Sequence, residues 1–323
     1  MKKSISNTAI AAVTAGAAAS IGSTAGLAAD PIVGTEPEWF LSLEGGVIFA
    51  DPAMDKVGEA GEILSDIGFN ITDSNDFDTE FGYRGAAKFG KKFDDDLDWR
   101  IGVAYSNIMK NHSSLTFSGS GLGGSGSGNL GQNSDLSYLT ADVELGYNVR
   151  PSDRFDLRVF GGLRVLNSKD SGDKFGELPN GFLGSSGFSF DSSTDSEFLG
   201  LGPRVGVDFS GKLSDDSVLG FSGMLAAAVI IGDLKQRNEA IVSSGGSSFP
   251  IFSDTDHTTE MVFNLEAAFG ADFHLTDSAV LTLGYRGEMV DRFSDKTGVF
   301  PSVETTRSDF LSHGPFVRLI AEF

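Results

Sequence analysis

A strict alternation of apolar and polar residues constrains the fold of this chain most strongly. In the segment 313–323, Val317 and Phe323 lie on one face, while Arg318 and Glu322 lie on the other. This period of two is that of a β-strand, whose side chains point alternately to its two faces. An unpaired strand at a sheet edge promotes aggregation. The pattern therefore predicts a sheet that closes on its final strand, which ends in an aromatic residue.

Segments with this alternation follow one another along the chain. They span about residues 38–50, 79–90, 97–109, 136–149, 155–166, 197–210, 218–231, 260–274, 279–290 and 313–323. Each is long enough for a transmembrane strand, which needs about 9–11 residues. The pattern thus predicts about ten membrane-spanning strands.

The gaps between these segments alternate between short and long. The short gaps are rich in turn residues and lie at 91–96, 150–154, 211–217 and 275–278. The long gaps lie at about 51–78, 110–135, 167–196, 232–259 and 291–312. Outer-membrane barrels have short periplasmic turns and longer extracellular loops. The predicted fold class is therefore all-β: a transmembrane up-and-down antiparallel β-barrel of about ten strands, with long extracellular loops and short periplasmic turns.

The composition agrees with a barrel and argues against several other classes. The formal net charge is −21, which disfavours a nucleic-acid partner and a basic peripheral membrane protein. No apolar run reaches the roughly 20 residues that a transmembrane helix needs. The chain has no cysteine, and its 4 histidines lack the spacing of a metal site. We expect no cofactor.

The amino-terminal residues have the pattern of a secretory signal peptide. Lys2 and Lys3 precede an Ala-rich segment, and small residues at Ala28 and Ala29 suit a signal peptidase. We therefore expect a cleaved signal peptide at 1–29, followed by an outer-membrane barrel at 30–323. The expected location is the outer membrane of a Gram-negative bacterium.

The inward face of the predicted strands is rich in charge of both signs. The candidate lumen residues are Arg84, Lys88, Arg100, Asp142, Glu144, Arg158, Arg164, Arg204, Asp208, Glu266, Arg286, Glu288, Arg318 and Glu322. Side chains just fill an eight-stranded barrel, whereas an aqueous channel needs about 16–18 strands. Ten strands therefore indicate a charge-paired interior or a narrow path, and the sequence leaves both open.

Aromatic residues recur at the turn-side ends of the outward faces. The candidate interfacial girdle comprises Trp39, Phe89, Trp99, Tyr147, Phe155, Phe209, Phe273 and Phe323. Aromatic girdles mark the membrane–water interfaces of barrels. A general preference of aromatic residues for strands explains their presence but not their collection at one end.

Several stretches resemble the Legionella-type pore-forming outer-membrane protein family, which is related to the major outer-membrane protein of that group. They are Phe160-Gly-Gly-Leu-Arg164, Gly200-Leu-Gly-Pro-Arg-Val-Gly206, Gly284-Tyr-Arg286 and the ending Gly314-Pro-Phe-Val-Arg-Leu-Ile-Ala-Glu-Phe323. The resemblance implies an outer-membrane barrel with a porin-like role. The final aromatic residue also resembles the signal read by the barrel-insertion machinery, an expected partner.

The leading interpretation is a porin-like barrel that passes small solutes through a narrow charge-lined lumen or supports the envelope. The alternative is a surface adhesin or interaction barrel that acts through its long loops. Outer-membrane lipid and lipopolysaccharide are expected partners, and the oligomeric state stays open.

An enzyme at the extracellular rim is a third hypothesis. Ten strands resemble the omptin proteases, and the candidate residues are Asp76, Asp78, Asp254, Asp256 and His257. Neighbouring Asp256 and His257 point to opposite faces of a strand, so we expect no enzyme. No dedicated metal site is expected, but weak binding of divalent cations is a hypothesis for the acidic first loop. The residues concerned are Asp51, Asp55, Glu59 and Glu62.

Overall fold

A computed structural model describes most of the chain from residue 39 onward. The described residues are 39–50, 69–75, 80–93, 96–121, 124–152, 154–178, 188–214, 217–244, 246–295 and 306–323. The predicted signal peptide at 1–29 lies outside them.

Eleven strands make up the described part of the chain. They are β1 (Trp39–Ala50), β2 (Phe69–Asn75), β3 (Glu80–Lys92), β4 (Leu97–Gly121), β5 (Gly124–Ser152), β6 (Phe155–Leu178), β7 (Phe188–Lys212), β8 (Leu219–Ser244), β9 (Ser247–Thr276), β10 (Ala279–Asp295) and β11 (Thr306–Glu322). Among the described residues, no helix is long and apolar enough to cross a membrane.

Antiparallel pairing joins these strands into a closed ring of ten. The order is β4-β3-β1-β11-β10-β9-β8-β7-β6-β5, and β5 returns to β4. The short β2 shares a position with β3, because both pair with β4 at different heights: β3 at 98–108 and β2 at 114–119. The predicted ten-stranded barrel is confirmed. Its seam is the pairing of β1 with β11, which closes the sheet on the final strand.

The alternation sorts side chains between the outside and the lumen. On β5, Val143 and Leu145 are 55% and 63% exposed, whereas Glu144 between them is 1% exposed. The outward apolar residues form a band, and the inward polar residues are buried. This is the distribution that a barrel in lipid requires.

The strands β4–β9 are much longer than a membrane crossing needs. They contain 24 to 30 residues, whereas β1, β3, β10 and β11 contain 12 to 17. The outward face changes from apolar to polar at Asn167, Glu197 and Asp233 on β6, β7 and β8. Beyond this level the long strands continue as an outer wall, defined by residues 111–121, 124–134, 168–178, 188–197, 233–244 and 247–260.

The outer wall differs from the sequence prediction, which assigned 110–135, 167–196 and 232–259 to loops. Even the Gly/Ser-rich segment is paired, up to Gly121 opposite Gly124. The reason is physical: both faces of the wall lie outside the apolar band, so apolar alternation is lost while neighbouring strands still satisfy the backbone. Hydrophobic periodicity cannot reveal such strands.

Several of the 42 Gly and 27 Phe residues pair across strands so that a ring covers a glycine. Phe160 lies directly opposite Gly206, and a Cβ on that glycine would lie 2.4 Å from the ring. Phe209 covers Gly223 and Phe316 covers Gly284 in the same way. Covering a glycine with a cross-strand ring fills the space that the missing side chain leaves.

Candidate functional site

The lumen is the candidate site, because ionisable side chains from most strands of the ring meet there. We call this set the charged layer. It comprises Glu44, Arg84, Lys88, Asp98, Arg100, Asp142, Glu144, Arg158, Arg164, Arg204, Asp208, Glu266, Arg286, Glu288 and Arg318. Alternation turns each of them inward, and the pairing of neighbouring strands brings opposite charges together.

The turn-side part of the charged layer is organised around Arg158 of β6. Its guanidinium contacts Asp98 at 2.7 Å, Asp208 at 2.9 Å and Glu144 at 3.2 Å. Asp208 also accepts a hydrogen bond from Arg100 at 3.1 Å. One arginine thus connects carboxylates from three other strands, so this end of the lumen is crossed by ion pairs.

At the centre of the layer, Arg164 and Arg204 share the carboxylate of Glu266. Arg164 forms a bidentate pair with Asp142, with both contacts at 2.7 Å, and also pairs with Glu266. Arg204 contacts the other oxygen of Glu266 at 3.0 Å and pairs with Glu144. Bidentate arginine pairs fix direction as well as distance.

The same network continues to the seam. Asn264 accepts a hydrogen bond from Arg164 and donates one to Glu288 at 2.9 Å. Glu288 also accepts from Tyr138 at 3.0 Å and pairs with Arg84 at 3.4 Å. The charged layer is therefore one connected network rather than a set of isolated pairs.

The network ends at Glu44 of β1. One carboxylate oxygen of Glu44 receives Arg286 and Arg318, each at 2.9 Å. The other lies 3.8 Å from Arg84. A side chain of the first strand thus pairs with side chains of the last two, which links the charged layer to closure of the barrel.

Aromatic rings contact the guanidinium groups of several arginines inside the lumen. The guanidinium groups of Arg158 and Arg204 lie 4.9 and 5.0 Å from the centroid of Phe160. Phe316 has the same relation to Arg318, at 4.8 Å. Such cation–π contacts keep like charges in position where water is excluded.

The predicted lumen residues fall largely into this network. Lys88 reaches Glu144 at 3.9 Å, whereas Glu322 lies half-buried at the turn end and its backbone donates to Ser278. Sequence reasoning missed Asp98, although its parity with Arg100 places both on the inward face. It also missed Asn264, which carries no charge and so has no signal in a search for charges.

A second, apolar layer lies on the outer-wall side of the charged layer and reaches the wall at Leu234, and the sequence did not predict it. It comprises Ile48, Ala50, Ile108, Leu136, Tyr138, Leu166, Phe198, Ala228, Ile230, Leu234, Val262, Val290 and Phe310. Nine strands contribute, and the exposure of these side chains does not exceed 8%. The lumen is therefore packed like a protein interior at this height.

In both layers the central side chains of the described barrel are shielded from water. A channel that admits water would expose the side chains that line it. Yet Arg164, Arg204 and Glu144 are each 1% exposed, and Ile230 is 0% exposed. The centre of the lumen is therefore inaccessible to water in this conformation.

The family model described as Legionella pneumophila major outer membrane protein precursor matches residues 44–322. This range covers most of the chain, including every residue of the charged layer. The chain belongs to this family. It is accordingly a protein of the bacterial outer membrane, as the sequence motifs predicted.

Solved structures with a similar architecture come from several outer-membrane proteins. The outer membrane protease OmpT of Escherichia coli is 9% identical, with a TM-score of 0.46, and the match covers 90% of this chain and 97% of OmpT. The toluene transporter TodX of P. putida is 12% identical, with a TM-score of 0.40, covering 90% and 91%. Ail of Yersinia pestis is 10% identical, with a TM-score of 0.25, covering 88% and 99%. No curated protein matches significantly in sequence.

The family member carries the eight predicted girdle aromatics near the turn-side ends of its strands. Trp39, Phe89 and Trp99 contact one another, and Phe155 lies 6.4 Å from Phe221. Tyr147 and Phe323 are 51% and 64% exposed. Phe209 covers Gly223, and Phe273 lies between Leu219 and Leu281 on the neighbouring strands.

A second aromatic set lies at the opposite margin of the apolar band, and the sequence analysis missed it. Phe49 packs 6.0 Å from Phe81, and the Tyr285 hydroxyl lies 2.6 Å from Nδ1 of His313. Trp39 and Phe49 are ten residues apart on β1. With a rise of about 3.3 Å and a tilt of about 40°, this spacing spans roughly 25 Å, the height of an outer-membrane apolar band.

The residues considered for chemistry are not assembled into a site within the described chain. Asp254 and Asp256 accept hydrogen bonds from the backbone of Thr255 and His257, and the strand directs Asp256 and His257 to opposite faces. Asp76 and Asp78 lie outside the described residues, as do the possible cation ligands Asp51, Asp55, Glu59 and Glu62. The described residues include no group suited to hold a metal.

Proposed function

We propose that this protein is a structural barrel that supports the bacterial outer membrane and passes no solutes in this conformation. The observation that carries the proposal is the closure of the lumen by two successive layers, one charged and one apolar. The burial of the central side chains in both layers supports this proposal. The family assignment supports a role as an outer-membrane barrel.

The competing interpretation is a porin-like path for small solutes along the charged lumen. It requires both layers to rearrange, because no single side chain closes the barrel. The two interpretations make opposite predictions for ion conductance. Conductance of the refolded protein in planar bilayers therefore tests the proposal.

We expect no steady channel current from the wild-type protein. Replacing Phe198 and Phe310 of the apolar layer with Gly does not open the lumen either, because the charged layer remains. The matched control is Leu199→Gly, which removes a 58% exposed outward side chain next to Phe198. Folding is checked by the heat-dependent electrophoretic mobility of the barrel. Stable, ion-selective currents from folded wild-type protein contradict the proposal and favour a porin-like role.

A second candidate function is surface interaction through the outer wall. The observation that favours it is the height of β4–β9, whose outward faces turn polar at Asn167, Glu197 and Asp233 and continue beyond the apolar band. Shortening the β4–β5 hairpin by deleting 115–130 removes paired residues equally from both strands. This hypothesis predicts lost binding to host or bacterial surfaces with unchanged barrel folding, and unchanged binding contradicts it.

A further inference from the structure

Both tryptophans of the chain lie in one cluster on the outward face. Trp39 of β1 and Trp99 of β4 flank β3, and Lys91 of β3 lies opposite both of them in the strand register. We call Trp39, Phe89, Lys91 and Trp99 the Trp–Lys cluster. These residues come from three adjacent strands, so the cluster is a product of the fold and not of one sequence motif.

The geometry of the cluster is well defined. Trp39 stacks on Phe89 with ring centroids 5.1 Å apart, and Trp99 meets both rings edge-on at 6.2 and 6.0 Å. The ammonium nitrogen of Lys91 lies 4.9 Å from the centroid of the Trp39 ring. This cation–π contact holds one positive charge against an aromatic surface.

The position of the cluster is the turn-side margin of the apolar band, beside the seam. Trp39 exchanges two backbone hydrogen bonds with Phe323, at 3.0 and 2.9 Å. Toward the middle of the band the neighbouring outward residues are apolar, with Ile101 49% exposed and Val103 47% exposed. The cluster therefore lies where hydrocarbon gives way to lipid headgroups, at the depth that tryptophan prefers.

We propose that the Trp–Lys cluster binds the phosphate group of a phospholipid in the leaflet on the turn side, with preference for an anionic headgroup. The ammonium of Lys91 supplies a positive charge, and each indole carries one N–H donor. The rings supply apolar surface for the glycerol and upper acyl region. This inference does not depend on whether the lumen conducts.

A phospholipid suits the cluster better than a free anion does. Phe89 is 39% exposed and continuous with the lipid-facing band, so a bound lipid covers apolar surface as well as the charge. A free phosphate ion gains only the charge interaction at a hydrated surface, where ions screen it. The alternative is a neutral interfacial anchor, in which the rings position the barrel and the headgroup does not matter.

Tryptophan fluorescence tests the proposal directly, because both tryptophans report on this cluster. The full-length refolded protein is placed in phosphatidylcholine vesicles that contain increasing fractions of phosphatidylglycerol. We expect a saturating change in emission as phosphatidylglycerol increases. Lys91→Gln should weaken the apparent affinity about fivefold, the effect of one lysine at an anionic membrane surface. Lys91→Arg, which keeps the charge, should retain most of the response.

The matched control is Lys212→Gln, which removes an exposed turn-side lysine from β7 on another part of the barrel. Its emission titration should follow that of the wild type. Inorganic phosphate added to vesicles of phosphatidylcholine alone should leave the emission unchanged. The proposal is overturned if the wild type shows no headgroup dependence, if Lys91→Gln titrates like the wild type, or if inorganic phosphate reproduces the change.

Discussion

The charged layer and the apolar layer close the same lumen by different physical means. In the charged layer each side chain has particular partners on other strands, as Arg158 has in Asp98, Glu144 and Asp208. In the apolar layer the contacts are non-directional, and only volume and shape matter. A substitution in the charged layer therefore affects several strands at once, whereas one in the apolar layer has a local effect.

This difference bears on stability and on specificity. Burial of charge is costly, so an ion-pair network need not stabilise a fold more than an apolar core of the same volume. Removing one partner is nevertheless strongly unfavourable, because the other charge stays buried without compensation. Since Glu44 of β1 meets arginines of β10 and β11, we interpret the charged layer as a device that favours the correct seam.

The largest predicted effect comes from breaking a pair at the centre of the charged layer. Asp142→Leu removes both acceptors of the bidentate contact with Arg164, and we expect a loss of about 4 kcal/mol of unfolding free energy. The measurement is urea unfolding in lipid vesicles. The double variant Asp142→Leu/Arg164→Met should be more stable than Asp142→Leu alone. If the double variant is the less stable of the two, the lost compensation of the Arg164 charge is not the cause.

Gly206 lies opposite Phe160, whose ring contacts Arg158 and Arg204 of the charged layer. In Gly206→Ala the new Cβ would lie 2.4 Å from Phe160 and 2.5 Å from the Leu225 carbonyl oxygen. Displacing Phe160 also disturbs the arginines that contact its ring, so we expect a loss of about 2 kcal/mol of unfolding free energy. Gly45→Ala is the matched control, because its Cβ meets nothing within 4 Å and should change stability by less than about 0.5 kcal/mol. Equal effects in the same unfolding assay exclude the steric explanation.

The outward half of this architecture could be predicted from sequence, and much of the inward half could not. Alternation located the strands, and parity placed Arg158 and Arg164 in the lumen. It could not show that Arg164 meets Asn264 and Glu266, because those contacts cross the barrel between strands far apart in sequence. Cross-lumen partners depend on the stagger of the whole ring, which no single segment encodes.

The apolar layer and the outer wall were missed for related reasons. Ile108 and Leu166 lie at inward positions near the ends of predicted strands, where an apolar residue looks like an irregularity in a polar face. Residues 111–121 and 124–134 lie in the outer wall, where the sequence is polar and rich in Gly and Ser. Both failures follow from using hydrophobicity as the only signal.

A conservative change in the apolar layer should have a smaller effect than either Asp142→Leu or Gly206→Ala. Ile230→Val removes one methyl group from a side chain that is 0% exposed, and we expect a loss of about 1 kcal/mol. The matched control is Ile231→Val on the lipid-facing side, which is 58% exposed and should be nearly neutral. If Ile230→Val lowers the unfolding free energy as much as Asp142→Leu does, then the two layers do not differ in how strongly they depend on specific partners.

The smallest effect belongs to an ion pair outside the lumen, where solvent screens the charges. Lys169 donates to Glu197 at 2.9 Å on the outer wall, and this hydrogen bond and the lysine charge lower the pKa of Glu197 from its ordinary value of 4.5. Because the pKa of Glu197 is lower in the folded state than in the unfolded state, the pair stabilises the fold fully at pH values above the unfolded pKa of 4.5. The contribution is lost as the pH falls through the folded pKa.

Both side chains are more than half exposed, so the stabilisation should be below about 0.5 kcal/mol. In Lys169→Gln we expect the pKa of Glu197 to rise toward 4.5, as measured by NMR titration of its carboxyl group. Lys235→Gln should raise it less, because the charge of that lysine is a smaller cause of the lowered pKa. If the two variants shift the pKa equally, the hydrogen bond from Lys169 is not the main cause. This ion pair would then differ from the charged layer only in the local density of charge, and not in the specificity of its pairing.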